Sequence, residues 1–262
     1  MIIDIHTHCF DNKIAKKAVQ VLEKEANVKA YTDGTISDLK RSMEKSKIDI
    51  SVIQPIATKP QQTPIINSWI ESIMDSKIIP FGTIHPEYDD WQEEINKLAS
   101  LGVKGIKLHP DYQKFYVDDI KLMKLYEEII KKDMVILFHA GIDIGLPEPC
   151  HCTPKRLKTV LNNMKGGKII AAHMGGYKLW EEVEEYLLGE DIYFDTSYTS
   201  HAMNMDFMER LIRNHGAKKI IFGTDSPWGE QEKEVGFIKR LSITDEEKER
   251  IFGINAVKLL KL

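Results

Sequence analysis

His6 and His8, one residue apart at the end of the apolar opening Met1-Ile2-Ile3-Asp4-Ile5, are the side chains best placed to do chemistry. On a strand, residues two apart point the same way, so both imidazoles can reach one metal ion. Alone, a His-x-His pair says little. The same arrangement recurs, however: Met134 to Phe138 runs into His139, Lys168 to Ala172 into His173, and Lys219 to Thr224 into Asp225. Each is a short apolar run that ends in a ligand-type side chain.

These runs suit strands buried on both faces. Others of the kind lie at Ile50 to Ile53, Ile78 to Phe81, Val103 to Leu108 and Ile192 to Phe194. Between them come stretches of helical period, such as Ile120, Met123, Tyr126 and Ile130 with Lys124 and Glu127 interspersed. Strand and helix alternating over 262 residues predicts an α/β fold, a single (β/α)8 TIM barrel spanning 1–262. Its active site belongs at the carboxyl ends of the strands, where these His and Asp residues fall. An open doubly wound sheet would spread the same strand ends along a line and keep the ligands apart.

Composition narrows the function classes. With 36 Lys plus Arg against 40 Asp plus Glu, the net charge of −4 leaves no footprint for nucleic acid or an anionic membrane. The absence of a leader-like segment or a long uncharged apolar run argues against secretion and membrane spanning. Three cysteines, Cys9, Cys150 and Cys152, make no disulfide framework and suit a reducing cytoplasm. The expected partner is a small-molecule substrate, with a homodimer compatible on general grounds.

The segments Asp4-Ile5-His6-Thr7-His8, Phe138-His139-Ala140-Gly141, Ala172-His173-Met174-Gly175-Gly176 and Phe222-Gly223-Thr224-Asp225-Ser226-Pro227-Trp228 together resemble the signature of the amidohydrolase superfamily. More narrowly, they are similar to its branch of small metal-dependent hydrolases and decarboxylases, which includes aminocarboxymuconate-semialdehyde decarboxylase. The resemblance implies that His6, His8, His139 and Asp225 bind a divalent metal, zinc first among candidates for such a nitrogen and oxygen set. It implies that His173 sits beside the bound water and assists catalysis. Two-metal members place a bridging carboxylated lysine or glutamate on the fourth strand. Here Val103 to Pro110 puts Gly105 at the glutamate slot, which favours one ion, although Lys107 on the same face as His109 could still reach the site.

A divalent ion lowers the pKa of bound water, and a neighbouring carboxylate accepts the proton released. Asp225 is expected in that role. The favoured reaction is hydrolysis of a C–O or C–N bond in an ester, lactone or amide, and the alternative is non-oxidative decarboxylation of a small unsaturated or aromatic acid. Lys107 and Arg156 are candidate carboxylate partners. His109, His151 and Trp228 are expected to line the pocket, His151 from the turn-rich loop Gly141 to Thr153. His85 and His201 are weaker pocket candidates, and His215 suits a helix end. A nuclease of the related branch should carry the fourth-strand glutamate and a basic rim. A non-catalytic metal-binding protein should have lost a ligand or the acid–base group.

Overall fold

The computed structural model describes residues 1–146 and 148–262. Its strands, all paired in parallel, are β1 (Ile3–Thr7), β2 (Ile50–Ile53), β3 (Ile78–Pro80), β4 (Gly82–Thr83), β5 (Gly105–Leu108), β6 (Val135–Phe138), β7 (Ile169–Ala171), β8 (Tyr193–Asp195) and β9 (Ile220–Ile221). They pair in the order β1-β2-β3 and β4 through β9. Only Phe81, whose N–H donates to the Ile53 carbonyl at 2.9 Å, separates β3 from β4. The third predicted strand is thus one barrel position broken at a single residue. No regular ladder joins β9 to β1, yet the two ends meet. The N–H of Ile5 donates to the Phe222 carbonyl at 2.9 Å, that of Asp225 to His6 at 2.7 Å and that of His8 to Ser226 at 2.6 Å.

The two-residue period decides what fills the cylinder. Ile3, Ile5, Val52, Phe81, Val135, Leu137, Ile170, Ala172 and Ile221 pack together inside, and Ala256, Leu259 and Leu260 of the C-terminal helix Asn255–Leu260 stop its lower end. The alternate residues Ile106, Leu108, Ile136, Phe138, Ile169 and Ala171 face outward beneath the helices. Both faces being covered explains why the strands read as unbroken apolar runs.

Two helices bear on the mouth, α1 (Ala15–Ala26), after β1, and α3 (Gln62–Ile73), after β2, while α2 (Ile36–Ser46) follows α1 in the chain without lining the cleft. Left-handed Asn27 (φ 51°) ends α1 and Lys47 (φ 58°) ends α2. The periodic stretch from Ile120 folds as a 3₁₀ turn over Ile120–Leu122 leading into the helix Met123–Lys131. Among the described residues no helix is long and apolar enough to cross a membrane.

Candidate metal centre

At the upper end of the barrel the inward side chains turn polar within one step of the strand period. Val135 and Leu137 are followed by His139, and Gly105 by Lys107. On β1 the pairing with β2 slips between Asp4 and Thr7, so His6 reaches the cleft although its neighbour Ile5 packs in the barrel interior. His6 Nε2 then lies 3.5 Å and His8 Nε2 3.1 Å from Asp225 Oδ1.

The other nitrogen of each ring has a hydrogen-bond partner. His6 Nδ1–H donates to Asp195 Oδ2 at 2.9 Å, and His8 Nδ1–H donates to the Gln54 carbonyl at 2.7 Å. Burial, with the Lys107 charge beside it, holds His6 well below its usual pKa and therefore neutral. Two ring nitrogens and a carboxylate oxygen thus converge as acceptors, which demands positive charge beside or between them: the Lys107 ammonium next to His6, a further proton on an imidazole or a bound cation. Burial alone would raise the Asp225 carboxyl, but the imidazoles of His8, His6 and His173 that face it outweigh burial and hold the group low, so it too is an acceptor. The donor set fits a divalent ion.

His173 stands next to this group, its ring centroid 5.3 Å from that of His6. It carries φ 58°, and Asp225 carries φ 64°. Left-handed backbone is uncommon for residues other than glycine and collects at functional sites. Here it turns His173 back toward the mouth just where β7 ends. The Ser197 hydroxyl donates to Asp195 and accepts from the Nδ1–H of His6 (3.0 Å) and of His173 (2.9 Å). One carboxylate and one hydroxyl therefore set both rings with Nε2 exposed to the centre. Sequence reasoning missed Asp195 and Ser197. The signal was available, since Asp195 closes its own short apolar run, Ile192 to Phe194.

His139 approaches from the other side, its Nδ1 3.1 Å from His173 Nε2. It is not within the tight cluster of His6, His8 and Asp225. It belongs to a second cluster with His109 and Asp143, whose ligand-type atoms lie within 4.8 Å of one another. His139 Nε2 is buried without a hydrogen-bond partner, 4.0 Å from Asp143 Oδ2. His109 stacks on His139 with centroids 4.1 Å apart, and its Nε2 lies 3.2 Å from the same carboxylate oxygen. Because the Tyr112 N–H donates to His109 Nδ1, the His109 proton sits on Nε2 and faces Asp143 Oδ2. His109 is thereby a donor into the cleft, and Asp143 stands near both rings.

Lys107 is buried with Nζ 3.2 Å from His6 Nε2, and burial pushes its ammonium down to about 8 against the pull of Asp195 and Asp225. At Gly105 a β-carbon would stand 2.4 Å from the Phe81 ring, so this slot holds no carboxylate and has no room for one.

These groups floor a cleft of about 650 Å³ whose lining includes Lys107, His109 and Trp228 as expected. His151 does not line it. Its Nδ1 binds Asp111 Oδ1 at 2.8 Å and its ring leans on Tyr116, because the loop carries Ile142 to Ile144 over the mouth and then leads away. Arg156 also lies apart, bonded to Asp118 Oδ1 at 2.6 Å and stacked over Tyr116. The three cysteines are free thiols. His85 accepts the Glu87 N–H, His201 bonds the Tyr177 hydroxyl, and neither lines the cleft. His215 bonds the Ile192 carbonyl and stacks on Phe194, a packing role as expected.

Comparison with known proteins agrees with this architecture. Residues 3–262 match the family model described as Amidohydrolase. No curated protein is matched by the sequence. Among solved structures, the fold is similar to 5-carboxyvanillate decarboxylase LigW from Sphingomonas paucimobilis, at 15% identity and TM-score 0.75, covering 100% of this chain and 99% of that one. It is similar to an uncharacterized TIM-barrel protein from Bordetella bronchiseptica, at 14% identity and TM-score 0.80 over 99% of this chain and 98% of that one. A third, a dihydroxybenzoic acid decarboxylase from a Polaromonas species with bound manganese and the inhibitor 2-nitroresorcinol, has 16% identity and TM-score 0.75, covering 100% of this chain and 97% of that one.

Proposed function

The chain belongs to the amidohydrolase family, and on that premise we propose that it is a metal-dependent enzyme that removes CO₂ from a small aromatic or unsaturated acid. The observation that carries the metal reading is the convergence of His6 Nε2, His8 Nε2 and Asp225 Oδ1 with no hydrogen-bond donor but Lys107 aimed at them. His6, His8 and Asp225 would hold a single divalent ion, with His139 and His173 at its side. Zinc suits the nitrogen-rich set, and manganese, present in the Polaromonas relative, suits it as well. When bound, the ion supplies positive charge that orients a substrate oxygen.

The protein's own groups do the rest. The Lys107 ammonium, the buried cation at the floor of the cleft, attracts the substrate carboxylate. The His109 Nε2–H, which faces Asp143, is placed to orient the ring substituents. As the carbon–carboxyl bond breaks, its electron pair stays on the ring carbon and CO₂ leaves. Asp225, ionised because its pKa is held low, takes the proton of the substrate's ring hydroxyl and returns it to that carbon, leaving the product as a phenolate that water reprotonates. The apolar upper walls keep water from competing for that carbon.

Three relations support decarboxylation over the hydrolysis favoured from sequence: a lysine in the floor suited to an acid, apolar walls suited to a ring, and the decarboxylases among the similar structures. Hydrolysis keeps one argument, since Asp225 beside the ion is equally placed to take a proton from water. The test is metal analysis of the purified protein followed by headspace CO₂ measurement with a panel of hydroxybenzoic acids, in parallel with ester, lactone and amide cleavage. CO₂ release that stops on chelation and returns with manganese or zinc is expected. Cleavage of a lactone or ester with no CO₂ from any acid would replace this reading with the hydrolase.

A further inference from the structure

We propose that the substrate carries a slender non-polar arm beyond its reacting acid group, seated in a channel between α1 and α3; this deepens the reading above, because it takes the barrel mouth as the reaction site. The cleft has two zones. Its floor is polar, and its outer part is mainly apolar, with Asp11, Lys13, Thr58 and Gln62 as the polar exceptions.

The clearest sign is that α1 has apolar side chains it does not need for folding. Ala15 and Val19 are buried against the barrel. A second stripe, Ile14, Ala18, Leu22 and Ala26, repeats every four residues and lines the cleft instead. Residues four apart stack along one face, so the stripe runs for roughly 18 Å. Ile65, Ile66 and Trp69 of α3 line the same cleft. Ile14 is 55% exposed and Ile65 68% exposed. Exposed isoleucines continuous with a reaction centre mark a surface that ligand covers. Ile144 and the close approach of Gly145 to Ala26 shape one edge, while Asp11 and Lys13 are the charged groups at the rim.

Size and shape both favour a ligand's arm. A cleft of about 650 Å³ is of the class that encloses a drug-sized molecule and exceeds the need of a single ring. It is concave, with its polar reacting groups at the bottom. A second copy of the chain covering the mouth would leave that floor unfilled. Among the described residues no arginine lines the cleft, so Lys107 and Lys13 are the lysines left to meet an acid, and the walls between α1 and α3 offer it mainly apolar contact.

The experiment is a series of 4-alkyl-2-hydroxybenzoates, from the unsubstituted acid to a six-carbon tail, titrated calorimetrically into the manganese-loaded protein with CO₂ release followed in parallel. Each added methylene should tighten Kd about threefold to fourfold until the channel is full. The double variant Ile14→Ser/Ile65→Ser, at exposed positions and checked by its melting curve, should reduce that step below twofold. A flat series, absent binding, or a slope unchanged in the folded double variant overturns the proposal. So does light scattering that shows a dimer which the double variant dissociates, because the stripe would then be an interface. A steep binding series without CO₂ supports the arm and overturns decarboxylation, which separates the two failures.

Discussion

The two ends of the barrel use the same strands for opposite purposes. Below, Val135 and Leu137 of β6 interlock with Ile3, Ile5 and Ile170 under a helical stopper, and the side chains need only shape. One strand step above Leu137, His139 must find partners for its nitrogens, and one of them finds none within the protein. At the lower end local pattern and packing suffice. At the upper end each side chain depends on a group far along the chain, as His6 depends on Asp195 and Thr224 on Asp4. Stability and chemistry are thus separated along the strand axis, a division that barrels permit because the loops above vary without disturbing the layers below.

Substitutions at each end test that separation. The largest effect is expected from Asp225→Asn, which should lower turnover by about 10²- to 10⁴-fold while the melting curve stays near the parent, because the amide cannot carry a proton. Retained activity would dismiss Asp225 as the proton carrier. Leu137→Ala should do the reverse, lowering unfolding free energy in urea by about 2–5 kcal/mol with metal content per folded molecule unchanged. Asp195→Asn lies between them. It leaves packing intact but loosens the His6 and His173 rings, so metal affinity should fall about 10- to 100-fold in a chelator competition. If affinity holds, the carboxylate is merely structural.

The smallest effect concerns pH. Glu234, buried and hydrogen-bonded by the Ser200 hydroxyl at 2.5 Å, is raised from 4.5 to about 7, chiefly by burial. The folded state then keeps a proton that the unfolded chain releases, so this group's contribution to stability falls as pH rises from 4.5 to about 7. In Glu234→Gln that slope should disappear, so that the variant gains on the parent as pH rises through this window and differs little from it near pH 4. Parallel stability profiles for the two proteins would contradict the assignment.

Much of the barrel was legible because its signals are local. Apolar runs of strand length and their terminal His or Asp can be read from neighbouring residues, and β6, β7 and the segment after β9 lie where those runs fall. Phe81 was not legible as an interruption, since it is as apolar as a strand residue and only three-dimensional pairing separates β3 from β4. Within the centre, His6, His8 and Asp225 come together as their strand-end positions imply. The split that puts His139 with His109 and Asp143 was hidden, because it depends on a loop conformation and on ring stacking. His151 shows the converse. Its place in a turn-rich loop suggested the pocket, but Asp111, 40 residues earlier in the sequence, draws it away. Asp195 and Ser197 went unread because a carboxylate that orients an imidazole is identified only by the ring it faces.

The ring of Phe81 against Gly105 also bears on how such a centre could change over time. Introducing a glutamate at 105 would drive its β-carbon into a buried aromatic, and shrinking Phe81 first would open a void in the barrel floor. Each single step is therefore disfavoured by itself, and only the pair is tolerable, a strongly epistatic route. A bridging glutamate at 105 is thus barred by a steric lock in which none of the candidate ligands takes part.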